Sequence, residues 1–407
     1  MILMISYASG IKGSSTAIWA DDKIQSLKQL KYKFILLTNI SSSCSDKIIN
    51  YKTSSISKKD FKREKNICLI NNNISLGIIN SFIPYTLGVI FDKFLEFFTK
   101  GHGESRWSWT FTSFIYGFFI CFKHKVDTIY TTGGAGSAHL TGIFLKIIFK
   151  KKKLIVEFQD PLIGEDIGRN INTSKYFSFF EKLIVKFADK VIYVTENSAK
   201  ASYKRYKNNN IKFVYPGSKK FQFKETNISK KCKKLKLIHL GTLYSNRNLN
   251  NLIIAIENLI EKKIINNNDI QITNIGDIHC KERDYYLSKS FITQLPIMER
   301  KEALKNLTNC DLCLLIQHID NRSKLTIPYK FYDYLNSNKL IFGITANNEL
   351  NNLLESGGHY FSDSRDVKSI EETISVLLEK KKKNLLGKPL DLDININEQT
   401  KKIFDFN

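Results

Sequence analysis

The sequence predicts an α/β protein built from two doubly wound parallel sheets, and three observations carry that expectation. Short continuous apolar runs recur in two series, helical stretches separate the members of each series, and a polar segment at residues 216–234 divides them. Continuous apolar strands mark parallel sheets buried on both faces, and strand–helix alternation is how such sheets are wound. With 407 residues, 43% of them hydrophobic, the chain can fill a separate core in each half. The expected organisation is a first domain over 1–215, a second over 216–385 and a C-terminal segment over 386–407 that holds a last helix.

The first series places strands at 2–6, 34–38, 128–132, 154–158, 191–195 and 211–215. Helices at 14–30, 138–149 and 176–188 lie between them. The second series places strands at 235–240, 270–275, 291–295, 312–316, 339–344 and 359–361, with helices at 249–262, 298–307 and 330–335. Each run is three to six residues long and most are rich in Ile, Leu, Val or Phe, which suits a strand better than a helix.

Composition narrows the function classes. The formal net charge is +23, which favours polyanionic partners such as phosphorylated substrates or anionic lipid. Much of the excess is lysine in a sequence also rich in Asn, Ile and Phe, the bias of an AT-rich coding sequence, so only part of it speaks to function. Clustered arginines, zinc-type spacing and an RNA-binding aromatic motif are missing from the sequence, which sets nucleic acid aside. The seven cysteines are scattered, as in a reducing compartment. Cys310 and Cys313 form a C-x-x-C inside an apolar run. On a strand the two side chains are expected on opposite faces and in core packing, not around one ion. The apolar start Met1-Ile2-Leu3-Met4-Ile5 lacks a basic leader and is read as a first strand, not a signal peptide. Residues 107–122 form an uncharged run shorter than the ~20 residues a spanning helix needs. It is expected as a buried or interfacial helix, and the apolar stretch 82–98, which carries Asp92, Lys93 and Glu96, does not span comfortably either.

Ligands of doubly wound sheets bind beyond the carboxyl ends of the strands, so the strand-to-helix loops carry the functional candidates. The first strand is followed by a Gly/Ser loop that includes Gly13 and Ser14, and the strand at 128–132 by Gly133 and Gly134. These are turns in which backbone N–H groups can approach a diphosphate or an acceptor. Neither matches the dinucleotide fingerprint or the P-loop. The strand at 235–240 leads into Gly241, Thr242 and Arg247. Thr326 to Leu335 passes through Pro328 into a short helix that starts with Lys330 and Asp333, three apart on one face. A cation at a helix start suits phosphate, and a carboxylate beside it suits a sugar diol; a plain surface ion pair is the alternative. Asp160, at the end of the strand at 154–158 and before Pro161, is either a site residue or a turn aspartate.

Taken in order, the segments KLIVEFQDP (153–161), ADKVIYVTE (188–196), FVYPG (213–217), LIHLGTLYSNRN (237–248) and IPYKFYDYLNSNKLIFGI (327–344) resemble the GT-B glycosyltransferases of the family 4 type. The resemblance implies two Rossmann-like domains facing a central cleft, with a last helix returning to the first domain. It implies transfer of a sugar from a nucleotide-sugar donor, held mainly by the second domain, to a lipid-linked or polysaccharide acceptor held mainly by the first. The expected setting is cell-surface glycan synthesis at the inner face of the cytoplasmic membrane, with retention of configuration. On this mapping Arg247 and Lys330 face the donor diphosphate, Gly241 and Thr242 bring backbone to phosphate, and Asp333 takes the ribose-binding role of the family's second glutamate. Backbone around Thr293 to Leu295 meets the base, and Asp160, the catalytic candidate, falls where many relatives carry a histidine that contacts sugar or acceptor and some carry this Asp-Pro. Glu157 and Asp166 are nearby carboxylates with less claim. The first motif glutamate is replaced by Leu325. That departure leaves open a non-catalytic relative that binds a nucleotide-sugar or glycan as a partner subunit. No cofactor and no metal is expected, because the cations neutralise the diphosphate, and the triplet Asp391-Leu392-Asp393 is read as chance.

Overall fold

The computed structural model describes residues 1–11, 14–43, 48–70, 106–164, 171–221 and 234–406. The chain divides into two compact units, Met1–Pro216 with Ile396–Asn407, and Gly217–Asn395.

Among its described residues the first unit holds seven parallel strands: β1 (Ile2–Ser6), β2 (Phe34–Asn39), β3 (Asn50–Thr53), β4 (Thr128–Gly133), β5 (Lys153–Phe158), β6 (Lys190–Tyr193) and β7 (Ile211–Phe213). Their order in the sheet is β3-β2-β1-β4-β5-β6-β7. Alternation along β1 explains why Ile2 to Ile5 are all apolar: Leu3 and Ile5 enter the core on one face, Ile2 and Met4 the core on the other. The helix Ser15–Gln29 supplies Ala20, Ile24 and Leu27 to the second face, where Ile403 of the C-terminal helix Ile396–Phe404 joins them. Ser26 Oγ donates to Asn397 Oδ1 at 2.8 Å and ties these two helices together. The helices Trp109–Lys123 and Gly136–Ile148 cover the other face.

Two departures from expectation have simple causes. The strand β3 (NYKT) is missing from the apolar series because an edge strand needs little apolar surface, and only Thr53 in it is buried. The run at 191–195 stops as a strand at Tyr193, because Thr195 caps the next helix, Glu196–Tyr206, by accepting from Ser198 N at 3.3 Å.

The second unit holds β8 (Leu235–Leu240), β9 (Leu243–Tyr244), β10 (Ile270–Ile275), β11 (Ile278–His279), β12 (Ile292–Leu295), β13 (Leu312–Ile316), β14 (Leu340–Ile344) and β15 (Tyr360–Ser362). Six of them form a parallel sheet in the order β12-β10-β8-β13-β14-β15, and β9 pairs with β11. The helices Asn250–Glu261 and Val367–Lys382 bury Ile253, Ile256, Ile370 and Ile374 in its core.

The C-x-x-C packs in the core as expected, but not through strand alternation. Cys310 precedes β13 and so escapes strand alternation; its thiol donates to Leu307 O at 3.2 Å, and the Cys313 thiol lies 3.9 Å from Ser337 Oγ. Both thiols are fully buried, and burial pushes the Cys313 thiol well up. Among the described residues no group of three or more His, Cys, Asp or Glu side chains is placed to hold a metal ion. Asp391 of the Asp391-Leu392-Asp393 triplet pairs at the surface with Lys220. Residues 107–122 give the helix Trp109–Lys123, with Trp109 buried and Phe122 79% exposed. No described helix is long and apolar enough to cross a membrane. The stretch 82–98 lies outside the described residues.

Candidate functional site

Winding in the second unit reverses at β8. From there β10 and β12 extend to one side and β13, β14 and β15 to the other, so a crevice opens at the carboxyl ends of β8 and β13. Gly241 leaves β8 with φ +103° and donates its N–H to Ile275 O at 2.8 Å. Gly276, at φ +139°, crosses so close that a Cβ there would lie 2.7 Å from the Gly241 carbonyl. Only glycine fits both the angle and the approach.

Lys330 opens the helix Lys330–Leu335, and Tyr334 fastens that helix to the sheet. The Tyr334 hydroxyl accepts from Leu240 N at 2.8 Å and donates to Leu314 O at 3.4 Å, bridging β8 and β13. So held, Lys330 places Nζ 3.0 Å from Nε2 of His239 and 3.1 Å from where a Cβ on Gly241 would sit. The other imidazole nitrogen, Nδ1, lies 2.7 Å from Asn274 Oδ1. Arg247 arrives in a tight turn, exchanging two 3.0 Å backbone bonds with Tyr244 and lying 5.3 Å above its ring. Burial and the neighbouring Arg247 charge push the Lys330 ammonium well below the ordinary lysine range. Burial pushes the His239 imidazole well down, and the Lys330 and Arg247 charges add to that. Two cations are therefore brought together at the mouth of a crevice bounded by a glycine turn. Such a place is stabilised by an anion.

The loop opposite is fixed by buried amides. Gln317 Nε2 donates to Ser323 O at 3.1 Å and Thr326 O at 2.6 Å, and Asn347 Nδ2 donates to the same carbonyls at 2.6 and 3.0 Å. Leu325 ends the short 3-10 turn Asn321–Leu325 between them. Thr242 is half-buried beside Gly241, and Thr293 to Leu295 lie on the edge strand β12. Asp333 turns instead to Arg300, which donates to it from two nitrogens at 2.5 and 3.2 Å. The surface ion pair weighed for Lys330 and Asp333 is replaced by separate partners, His239 and Arg300.

In the first unit the winding reverses between β1 and β4. Ser14 caps the helix Ser15–Gln29, its Oγ accepting from Ala17 N at 3.4 Å. Gly133 ends β4 at φ +127°, and a Cβ on Gly134 would lie 3.4 Å from Thr16 Cγ2, so this glycine turn abuts the start of that helix. His139 hydrogen-bonds the Gly133 backbone and Thr131 Oγ1, the latter at 2.9 Å. Asp160 is exposed just beyond β5, after Gln159, whose Nε2 donates to Thr16 O at 3.3 Å. Ser14, Gly133, Gly134 and Asp160 thus sit on the carboxyl side of one sheet. Gly13 and Asp166 lie outside the described residues. Glu157 is wholly buried 3.5 Å from Lys23 and accepts from Thr132 at 2.6 Å, which removes it from any exposed role.

His239, Asn274, Gln317 and Asn347 were not among the residues singled out from the sequence. A signal existed for the first two: each is a polar residue one position from the carboxyl end of its strand, and they are direct register partners.

No family model and no curated protein matches the sequence. Solved structures do match. HepE of Anabaena, in complex with UDP and glucose, aligns over 99% of this chain and 95% of its own at 13% identity and a TM-score of 0.58. Sucrose-phosphate synthase from Thermosynechococcus elongatus aligns over 100% and 95% at 11% identity and 0.60. OtsA aligns over 100% and 99% at 10% identity and 0.61. The chain has the GT-B fold. The likeness runs nearly end to end, so both α/β units belong to the GT-B architecture. The cation pair lies in the second GT-B unit and the glycine turn in the first.

Proposed function

We propose that this GT-B protein is a glycosyltransferase of the family 4 type. In this reading it moves a sugar, with retention, from a nucleotide-sugar donor to a lipid-linked or polysaccharide acceptor in cell-surface glycan synthesis. The observation that carries the reading is the meeting of Lys330 and Arg247 beside the Gly241 turn at a topological switch point. When the bond from the sugar to the diphosphate breaks, negative charge grows on the leaving nucleotide. Two cations already in place stabilise it without reorganisation, an effect worth on the order of 10²–10³ in rate per positioned group. The backbone at Gly241 and Thr242 approaches the phosphates, Asp333 lies on the ribose side, and Asp160 with Ser14, Gly133 and Gly134 serves the acceptor. HepE was solved with UDP, which makes UDP-sugars the first donors to test. No metal is required in this scheme.

A panel of nucleotide sugars screened by thermal shift identifies the donor, because a ligand that binds the native state raises its melting temperature. Lys330→Ala and Arg247→Ala should each abolish most of the shift. Transfer that survives both substitutions unchanged would falsify the assignment. Leu325, where the family carries a glutamate, favours a second reading: a nucleotide-sugar binder without transfer activity that acts as a partner subunit. Donor binding with neither hydrolysis nor transfer would select it.

The site of action in our reading is the inner face of the cytoplasmic membrane. Phe111, Ile115, Phe119 and Phe122 of one helix and Phe144, Ile147 and Ile148 of its neighbour stand exposed. A groove of about 350 Å³ runs between them with a wholly apolar lining apart from Thr110. Exposed Lys123, Lys150 and Lys151 sit at the C-terminal ends of these helices. Aromatic residues enter lipid interfaces, and each lysine near an anionic surface contributes about 1 kcal/mol. Binding to phosphatidylglycerol vesicles should be salt-sensitive and weakened by Phe119→Ser with Phe122→Ser. Equal binding to neutral vesicles removes the electrostatic part.

A further inference from the structure

His239 is a fully buried histidine one residue from the end of β8, and the donor-site reading leaves it without a task. Its hydrogen bonds have only one consistent arrangement. The Gly276 carbonyl can only accept, so the Asn274 nitrogen lying 2.8 Å from it must donate. Gln294 Nε2 donates to the same carbonyl at 3.3 Å. The Asn274 oxygen therefore faces His239 Nδ1 at 2.7 Å, and Nδ1 must carry a proton. On the other side Lys330 Nζ, a donor only, lies 3.0 Å from Nε2. That contact is a bond only if Nε2 carries a lone pair. A second proton there would set two donors against each other beside the Arg247 charge.

We propose that His239 is a positioning residue: as a neutral imidazole protonated at Nδ1 and bare at Nε2, it receives the Lys330 ammonium and aims it at a diphosphate beyond β8. The idea rests on the donor-site reading above and adds a residue to it. A free lysine side chain has four rotatable bonds to freeze before its ammonium can hold one place. Holding Nζ on a fixed acceptor removes that cost before the ligand arrives and leaves two N–H groups for phosphate oxygens. Burial, Lys330 and Arg247 all act to keep the imidazole neutral, and the amide of Asn274 contributes no charge.

The test compares calorimetric affinity for UDP, GDP and ADP, and for the matching nucleosides, in the wild-type chain, His239→Leu and His239→Gln. Glutamine keeps an acceptor within reach of Lys330; leucine does not. Leucine should weaken the bound diphosphate about tenfold, the scale of one charge-assisted hydrogen bond, with nucleoside affinity unchanged. Glutamine should stay within about threefold. Unchanged diphosphate affinity in His239→Leu, or an equal loss for nucleoside and diphosphate, overturns the role of His239 alone. A wild-type chain that binds none of the three diphosphates overturns the donor site, and this proposal with it. A second measurement needs no variant. The ring ¹⁵N shifts of His239 in the intact protein should report a protonated Nδ1 and an unprotonated Nε2 at neutral pH, and the opposite tautomer or an imidazolium refutes the proposal.

Discussion

Arg300 grips Asp333 in a fork, with Nη2 2.5 Å from Oδ1 and Nε 3.2 Å from Oδ2. The Asp333 side chain is 9% exposed and that of Arg300 24%, so the pair is largely but not wholly withdrawn from water. The guanidinium also lies 5.5 Å over the Tyr329 ring, just ahead of the helix that carries Lys330. Breaking a buried pair strands a charge at a cost of 3–5 kcal/mol, and partial exposure of the arginine lowers that to about 2 kcal/mol. Arg300→Ala should destabilise the second unit by about that amount in urea. A double-mutant cycle with Asp333→Ala should show coupling of at least about 1 kcal/mol. Additive single losses would mean the fork holds nothing.

The lowered Lys330 pKa sets a pH dependence for anion binding. Only the ammonium form attracts a diphosphate, so affinity is lost as pH rises through the Lys330 pKa. Burial and Arg247 move that pKa below the usual lysine range, so the loss should begin at a lower pH than an ordinary lysine would give. Lys330→Arg keeps a charge that does not titrate in this range. Affinity measured against rising pH should fall for the wild type, and the arginine variant should show no such loss. Parallel curves for the two proteins would show that another group titrates.

The first unit contains a starker buried charge. Lys23 and Glu157 are both at 0% exposure, 3.5 Å apart, and burial holds the Lys23 pKa down. Tyr130 and Thr132 donate to the other Glu157 oxygen. Lys23→Met leaves that carboxylate without its counter-ion and should cost about 3 kcal/mol. Adding Glu157→Gln removes the stranded charge while keeping an acceptor for the two hydroxyls, so at least about 1 kcal/mol should return. If the second substitution only adds to the first loss, the ion pair is not what the lysine contributes.

These cases show where the sequence was legible and where it was not. Mostly apolar runs announced the central strands, because a strand buried on both faces takes a polar residue only where a partner satisfies it; β1 and β13 are the clearest. The polar edge strand β3 carried no such mark. Lys330, Arg247 and Gly241 were visible as a cation at a helix start, a cation in a loop and a glycine after a strand. The partners of these groups were not. The Arg300–Asp333 fork joins residues 33 apart, and the His239–Asn274 bond depends on which strand lies beside β8 and in what register. Local pattern supplies the elements and the ends of the strands; the pairing of polar groups across them needs the three-dimensional sheet.

His139 gives a stability test of the first unit's glycine turn. Burial lowers its pKa from 6.5 to about 4, and it remains hydrogen-bonded to Thr131 and to the Gly133 backbone. In the unfolded chain the imidazole takes up a proton near pH 6.5, whereas the native protein resists until about pH 4. Its contribution to stability is therefore full above pH 6.5 and is lost as pH falls toward 4, at up to about 1.4 kcal/mol per pH unit. Glu64 works in the opposite sense: burial raises its pKa from 4.5 to about 7, so its term weakens stability as pH rises through that window. That term is common to both proteins when the wild type is compared with His139→Gln. The variant should be less stable at pH 7 and should lose less of its remaining stability on going to pH 4.5. Equal losses over that interval would show that the imidazole is already protonated in the native turn, or that it does not titrate on unfolding.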